Sequence, residues 1–204
     1  MAKARIIVKR RHAVQNIRKI TRTMQLIATS RFQRALSRLQ DSRPYAEKLS
    51  AMVDQLWEAS REQMRHPLLE RRPVVTGQLL VITSNRGLCG GYNSAVLRAV
   101  VDCCKEEQQA ERRVRVDVVG RKGQAYLKFL GWPIEVVGAD IGDKPTVANV
   151  ARLADYYMDL FAAQKKVDAV HVAYMKFVNA GIQRPVIDQL LPLGQKVRYD
   201  RPEW

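Results

Sequence analysis

Acidic residues and glycine are almost missing from the first quarter of this chain. Between Ala2 and Leu49 there is no glycine, the only proline is Pro44, and Asp41 and Glu47 are the only acids against thirteen Lys and Arg. Without those breakers nothing interrupts a helix, and without acids the segment cannot neutralise itself. It carries +11 of the +15 formal charge, while residues 73–204, with 18 basic and 14 acidic groups, carry only +4. An electrostatic partner is therefore expected to meet the N-terminal segment, whether that partner is nucleic acid, an anionic membrane surface or an acidic protein face. Cysteine is sparse too: Cys89, Cys103 and Cys104 form no C-x-x-C pair, which excludes a disulfide framework or a cysteine zinc site and fits a reducing compartment. No apolar run approaches the ~20 residues of a membrane helix. The N-terminus lacks the continuous apolar stretch of a secretory signal. Its Arg-rich, acid-free, amphipathic character is instead shared with mitochondrial presequences.

In that segment apolar residues recur at Ile7, Val14, Ile17, Ile20, Met24, Ile27, Phe32, Ala35 and Leu39, mostly at helical steps of three, four or seven. The stripe predicts a helix from about Ala2 to Arg43. Pro44 is where its ladder should break, kink or restart. Tyr45, Leu49, Met52 and Leu56 carry the pattern on toward about Met64, and His66-Pro67 ends it. Some sixty residues at ~1.5 Å each give a rod of roughly 90 Å, which protrudes from any domain the rest can form. A single helix has no core, so the stripe needs a partner. Thr21 and Arg31 interrupt strict heptad positions, which argues against a simple two-stranded coil along the whole length.

After Pro73 the pattern changes. Short β-branched runs at 78–83, 114–120, 133–137, 168–178 and 185–192 read as strands. Segments from Asn93 or Ser94 to Gln109, 124–130 and 147–164 read as helices, with Asn93 or Ser94 as a cap and Gly131 past the end of the second. Alternating strands and helices predict an α/β layer fold with a Rossmann-like, mostly parallel sheet and one hairpin-like closing pair. The expected organisation is a shaft helix over 1–66, a globular α/β domain over 74–197 and a short terminal segment over 198–204.

The loop Asn85-Arg86-Gly87-Leu88-Cys89-Gly90-Gly91-Tyr92-Asn93 lies between a strand and a helix. Its glycines could bring backbone N–H groups to a phosphate, or they could simply permit a tight turn. Neither G-x-G-x-x-G nor a P-loop spacing is present. Cys89 beside Arg86 has the surroundings of an activated thiol but no base suggested by spacing, and His12, His66 and His171 stand apart in sequence. His171 alternates with Val170 and Val172 and reads as a packing or surface residue on the opposite face of its strand. Two functions other than protein assembly follow from these features. A basic arm that binds nucleic acid would show steep salt dependence, and a nucleotide-using α/β enzyme would show saturable nucleotide binding dependent on Gly87, Gly90 and Gly91.

Two stretches read together resemble the gamma subunit of F-type ATP synthases. The first, Ile17 to Ala35 (IRKITRTMQLIATSRFQRA), is similar to the family's basic N-terminal helix. The second, Ile82 to Asn93 (ITSNRGLCGGYN), is similar to its I-T-S-D-R-G-L-C-G-G-(F/Y)-N run, with Asn85 in the acidic position. Arg43-Pro-Tyr-Ala-Glu47 and His66-Pro-Leu-Leu69 match as well. The resemblance implies a central-stalk rotor that couples ion flow through the membrane c-ring to ATP synthesis or hydrolysis in a ring of alpha and beta subunits. In it the basic helix is half of an antiparallel coiled coil. It implies alpha, beta, epsilon and c-ring partners, no cofactor, no metal, no nucleic acid and no catalysis in this subunit. It places the protein peripherally on the cytoplasmic face of the bacterial inner membrane, or on the matrix side in mitochondria. By the matched motif, Arg22, Met24, Arg31 and Arg34 face the catalytic ring, and Ile17, Ile20 and Ile27 pack the coiled coil. Arg86, Gly87, Leu88, Cys89, Gly90, Gly91 and Asn93 form a docking and coupling loop, and Arg198 and Tyr199 lie on the c-ring side. The family continues beyond the equivalent of Leu193–Glu203 into a C-terminal helix, whereas this chain stops at Trp204. A truncated copy is expected ahead of a natural shortened copy or a split subunit completed by another chain, and in a truncated copy the stripe would be exposed and association-prone.

Overall fold

A computed structural model describes residues 2–59, 66–136, 141–142 and 145–193. The chain divides into two units, Met1–Arg61 and Glu62–Trp204.

The first unit is one α-helix, α1 (Ala2–Ala59), 58 residues long. Pro44 lies inside it and does not end it. A proline there removes one N–H bond and crowds the carbonyl one turn back, and in a long helix the turns on either side hold the geometry. The Arg43–Glu47 ion pair, 2.8 Å across one turn, spans the site. Thr21, which breaks the apolar stripe, donates its hydroxyl to the carbonyls of Ile17 (3.0 Å) and Arg18 (3.1 Å), so the helix itself satisfies it. The helix is described to Ala59. The expected continuation to Met64 lies outside the described residues.

The second unit alternates β1 (Thr76–Ile82), α2 (Tyr92–Gln109), β2 (Arg113–Val119), α3 (Arg121–Phe129), β3 (Ile134–Val136), α4 (Val147–Met158), β4 (Ala169–Phe177) and β5 (Gln183–Leu191). The sheet order is β3-β2-β1-β4-β5. The β3–β2, β2–β1 and β1–β4 pairs are parallel, and β5 returns antiparallel to β4. This is the α/β architecture that the alternation predicts, with its hairpin closing pair.

Because β side chains alternate, each central strand feeds two cores. Leu79, Val81, Val116 and Val118 pack with Val96, Val100 and Cys104 of α2 and Leu127 of α3. Leu80, Val119, Val170 and Val172 pack on the other face with Tyr157 of α4 and the Leu160–Phe161 pair that follows it. Each fully buried aliphatic or aromatic side chain contributes roughly 1.5–3 kcal/mol. Helices on both faces explain why the strands read as continuous apolar runs rather than as alternating ones.

Several local expectations need adjustment. α2 starts at Tyr92 with Gly91 in the cap position and no side-chain cap bond, so neither Asn93 nor Ser94 caps it. Asn93 is engaged by the loop before it, as described below. The helix expected over 147–164 is α-helical only to Met158 and becomes a π-turn over Asp159–Ala163. Thr146 caps its start in a capping box with Asn149. Gly131, at φ 74°, takes the left-handed position expected just past α3. The basic stretch before β1 does more than connect. Arg72 donates to the carbonyls of Phe161 (2.8 Å) and Val167 (3.0 Å), lies 4.6 Å from the Phe161 ring centroid and 3.8 Å from Asp168. Asp168 in turn accepts the backbone N–H groups of Val75 and Thr76.

Candidate functional site

Two surfaces carry the features singled out in the sequence. In α1, the spacing of Ile17, Ile20, Met24 and Ile27 puts them along one side of the helix, and Arg31 continues that row. Ile17 is 58%, Ile20 59%, Met24 45% and Ile27 49% exposed. Arg22 falls on the opposite side, where its guanidinium donates to Gln25 Oε1 at 3.2 Å, and Arg34 is exposed near the edge of the stripe. The helix has no acidic residue in its first turn, where the macrodipole favours one.

The loop between β1 and α2 sits at the carboxyl end of β1, where the chain order of the strands reverses from β2 on one side to β4 on the other. In doubly wound sheets that crevice is the usual ligand position. Here the loop is tied up with itself. Asn93 Oδ1 accepts the Ser84 N–H at 3.0 Å, and Asn93 Nδ2 donates to Ser84 Oγ at 2.8 Å and to Cys89 Sγ at 3.2 Å. Ser84 Oγ donates to the Arg86 carbonyl at 2.6 Å. Asn85 Oδ1 accepts the Arg121 N–H at 3.2 Å and so fastens the loop to the start of α3. Cys89 is held as part of this knot, packed among Ser84, Arg86 and Asn93. Burial pushes the Tyr92 phenol above its usual range, with a further push from Cys89. Gly90 turns the backbone at φ 58°. Leu88 has φ 62°, a conformation that costs a branched side chain about 1–2 kcal/mol, and its side chain is 93% exposed. Gly87 and Gly91 complete the turn, with the Lys122 side chain beside Gly87. Arg198 and Tyr199 lie outside the described residues.

Two features escaped the sequence reading. Thr83 Oγ1 donates toward the carbonyls of Val119 (3.0 Å) and Gly120 (3.2 Å) and accepts the Gly123 N–H at 3.0 Å. A Cβ on Gly120 would stand 2.3 Å from the Thr83 carbonyl oxygen, and one on Gly123 would stand 2.6 Å from Thr83 Oγ1. This clip joins the ends of β1 and β2 directly behind the loop. Its signal was the Gly-x-x-Gly spacing after a strand. The second is Asp117, 1% exposed in the middle of β2, which accepts the Tyr157 hydroxyl at 2.9 Å. Burial pushes its carboxyl above the usual range, and the Tyr157 hydrogen bond partly offsets that. A lone acid within an apolar strand was the visible sign. His171 is placed as expected, opposite Val170 and Val172, on the face toward α2.

The fold is thus a doubly wound α/β domain whose switch-point loop is locked by its own side chains, in a chain that also carries a long helix with an exposed apolar stripe and unneutralised positive charge. A family model described as ATP synthase matches residues 3–203. An ATP synthase gamma chain from Rhodopirellula baltica is 40% identical over 195 residues, which are 95% of this chain and 65% of that protein. One from a Synechococcus strain is 37% identical over 194 residues, covering 95% of this chain and 62% of that protein. The chain therefore spans less than two thirds of the length of these curated relatives. The central stalk and c-ring structure of Tetrahymena thermophila mitochondrial ATP synthase contains a chain that superposes with a TM-score of 0.66 at 24% identity, over 85% of this chain and 72% of that one, so the fold is shared. The chain belongs to the family of ATP synthase gamma chains. Among the described residues no helix is long and apolar enough to cross a membrane.

Proposed function

We propose that this chain acts as a non-catalytic rotor subunit in the central stalk of an F-type ATP synthase. In this reading α1 enters a ring of alpha and beta subunits. Arg22, on the side away from the stripe, and Arg34, at its edge, face that ring, and Ile17, Ile20 and Ile27, with Met24 and Arg31 in the same row, lie toward a second helix. The loop from Arg86 to Asn93, with Leu88 at its tip, docks and transmits torque. The α/β domain stands on the c-ring beside epsilon. The protein is then peripheral to the membrane, on the cytoplasmic face of a bacterial inner membrane. The observation that carries the reading is α1 itself. Its apolar stripe is half exposed, which calls for a covering partner.

Co-expression of the tagged chain with cognate alpha and beta subunits, followed by affinity purification and an ATPase assay, tests this. Co-purification of alpha and beta with ATPase activity is the expected result. Charge reversal at Arg22 and Arg34 together is expected to reduce recovery of the complex while leaving far-UV circular dichroism unchanged. Absence of alpha and beta from the eluate of the unaltered chain overturns the proposal.

A further inference from the structure

The chain passes from α1 into the α/β unit through residues 60–75, of which 66–75 are described. The described part holds one three-residue 3₁₀ turn, Pro67–Leu69, and no strand or longer helix. A strap without its own hydrogen-bond ladder has little stiffness. What holds it must come from side chains and from the elements it crosses.

Arg72 supplies that hold. Its side chain is 16% exposed, and its Nη2 donates to two carbonyls, Phe161 at 2.8 Å and Val167 at 3.0 Å. These carbonyls are six positions apart. They converge on one guanidinium where α4 runs out through the π-turn over Asp159–Ala163 and the chain then turns at Lys165, φ 49°. The last carbonyls of a helix lack intrahelical donors, and Arg72 provides one. The Phe161 ring backs the cation at 4.6 Å. Asp168 Oδ1 stands 3.8 Å from Arg72 Nε, while its Oδ2 accepts the N–H groups of Val75 (3.0 Å) and Thr76 (2.9 Å). The carboxylate that answers the Arg72 charge therefore fixes the backbone beyond Pro73. Upstream, the Leu68 carbonyl accepts the Leu193 N–H at 2.9 Å, and both side chains pack against the core that contains Phe161. Entry into the unit and the last described residue are pinned at one corner.

Stability alone does not select a guanidinium for this place. Taking a cation out of water is costly, and the buried Arg72 Nε makes no hydrogen bond. A well-packed apolar side chain would fill the corner at similar or lower cost, but it could not tie the strap to two carbonyls and a carboxylate. What the cation adds is fixed geometry.

We propose that Arg72 is a positioning residue that makes the strap a rigid part of the α/β unit. A turning force on the unit then reaches α1 instead of being taken up by the strap. The transmission of force rests on the rotor reading above, whereas the rigidity of the strap does not.

Two measurements separate these parts. The first is residue-resolved hydrogen exchange of the full chain. In the unaltered chain the amides of Val75, Thr76 and Leu193 are expected to be protected by about a hundredfold or more over an unstructured chain. Arg72→Gln is expected to speed them by about tenfold or more, and to speed Val118 inside β2 by less. Unprotected strap amides in the unaltered chain overturn the rigid strap, as does equal acceleration of the strap and Val118 in the variant. If Arg72→Gln does not fold, Arg72→Lys takes its place with a smaller acceleration expected in the same order. The second measurement follows a rod fixed to the α/β unit in a surface-held complex of this chain with alpha and beta subunits. The angular spread of the rod during catalytic pauses reports the compliance of the path from the unit to α1. Arg72→Gln is expected to widen that spread with the ATPase rate unchanged, whereas a purely structural loss would lower the yield of complex and leave the spread alone. An unchanged spread overturns the transmission role and leaves the rotor reading in place. Absence of rotation with the unaltered chain overturns the rotor reading and the transmission role with it.

Discussion

Ile20 in α1 and Val170 in β4 are both β-branched residues on regular apolar stripes, yet Ile20 is 59% exposed and Val170 is fully buried. Both patterns are clear in the sequence, steps of three and four in one region and a nearly continuous apolar run in the other. What differs is whether each unit covers its own stripe. For β4 it does so twice, through α2 on one face and through α4 with the Leu160–Phe161 turn after it on the other. The described helix α1 shows no such cover along its stripe. Regular hydrophobic spacing therefore identifies a surface to be buried and is silent about which molecule buries it. In one region the stripe is a contribution to folding, and in the other it is an offer of binding.

The sharpest way to break this contrast is to cut the same amount of hydrocarbon from both regions. Leu127→Ala and Phe161→Ala are each expected to cost about 3–5 kcal/mol in urea unfolding, since each removes a fully enclosed side chain. A cost below about 1 kcal/mol would mean that the two cores are no better packed than the exposed stripe.

Next in size is the clip behind the loop. Gly120→Ala forces a Cβ to 2.3 Å from the Thr83 oxygen at a residue with φ 103°, and is expected to cost about 2–4 kcal/mol by the same assay. Gly123→Ala meets only side chains, those of Thr83 and Val118, and should cost less. The reverse order would show that the backbone contact at Gly120 is not the constraint.

A smaller, pH-dependent effect belongs to Asp117. A carboxyl whose pKa is higher in the folded chain keeps its proton longer there. Stability therefore declines as pH rises from the ordinary aspartate value of ~3.9 through the raised folded value, and stays lower above it. Asp117→Asn retains an acceptor for the Tyr157 hydroxyl and has no such decline. Chemical denaturation across pH should show the variant gaining on the native chain through that window, and the absence of any relative change would remove Asp117 as a source of pH dependence. His171 has the opposite sign, because its lowered pKa costs stability as pH falls below ~6.5.

The smallest effect on folding is expected in α1. Replacing Ile17, Ile20 and Ile27 together by Ala should change urea unfolding by within about 0.5 kcal/mol, because Ala is the better helix former and little buried area is lost. The same triple change should abolish association with the second helix proposed to cover the stripe, read by a pull-down with that helix supplied as a separate chain. A large loss of stability without loss of assembly would reverse the division between folding and binding.

Much of this architecture was legible beforehand. The missing breakers from Ala2 to Leu49 showed α1, and its continuation across Pro44 followed from the stripe on the far side. The β-branched runs showed all five strands, with ends displaced by a residue or two. The paired motifs at Ile17–Ala35 and Ile82–Asn93 were enough to point to the family. The cap of α2 was not legible. Asn93 has the chemistry of a cap, but Ser84, nine positions earlier, takes its amide, and only the turn of the loop brings them together. Thr83 with Gly120 and Gly123, and Arg72 with Phe161, escaped for the same reason.

Local propensity and period acted within a few residues, so the sequence by itself determined the elements, their amphipathic faces and the imbalance of charge toward α1. Contacts between positions distant along the chain depend on strand order and register. The tertiary structure alone therefore decided that the switch-point loop closes on Asn93, that Asp117 meets Tyr157, and that Arg72 reaches the carbonyls of Phe161 and Val167.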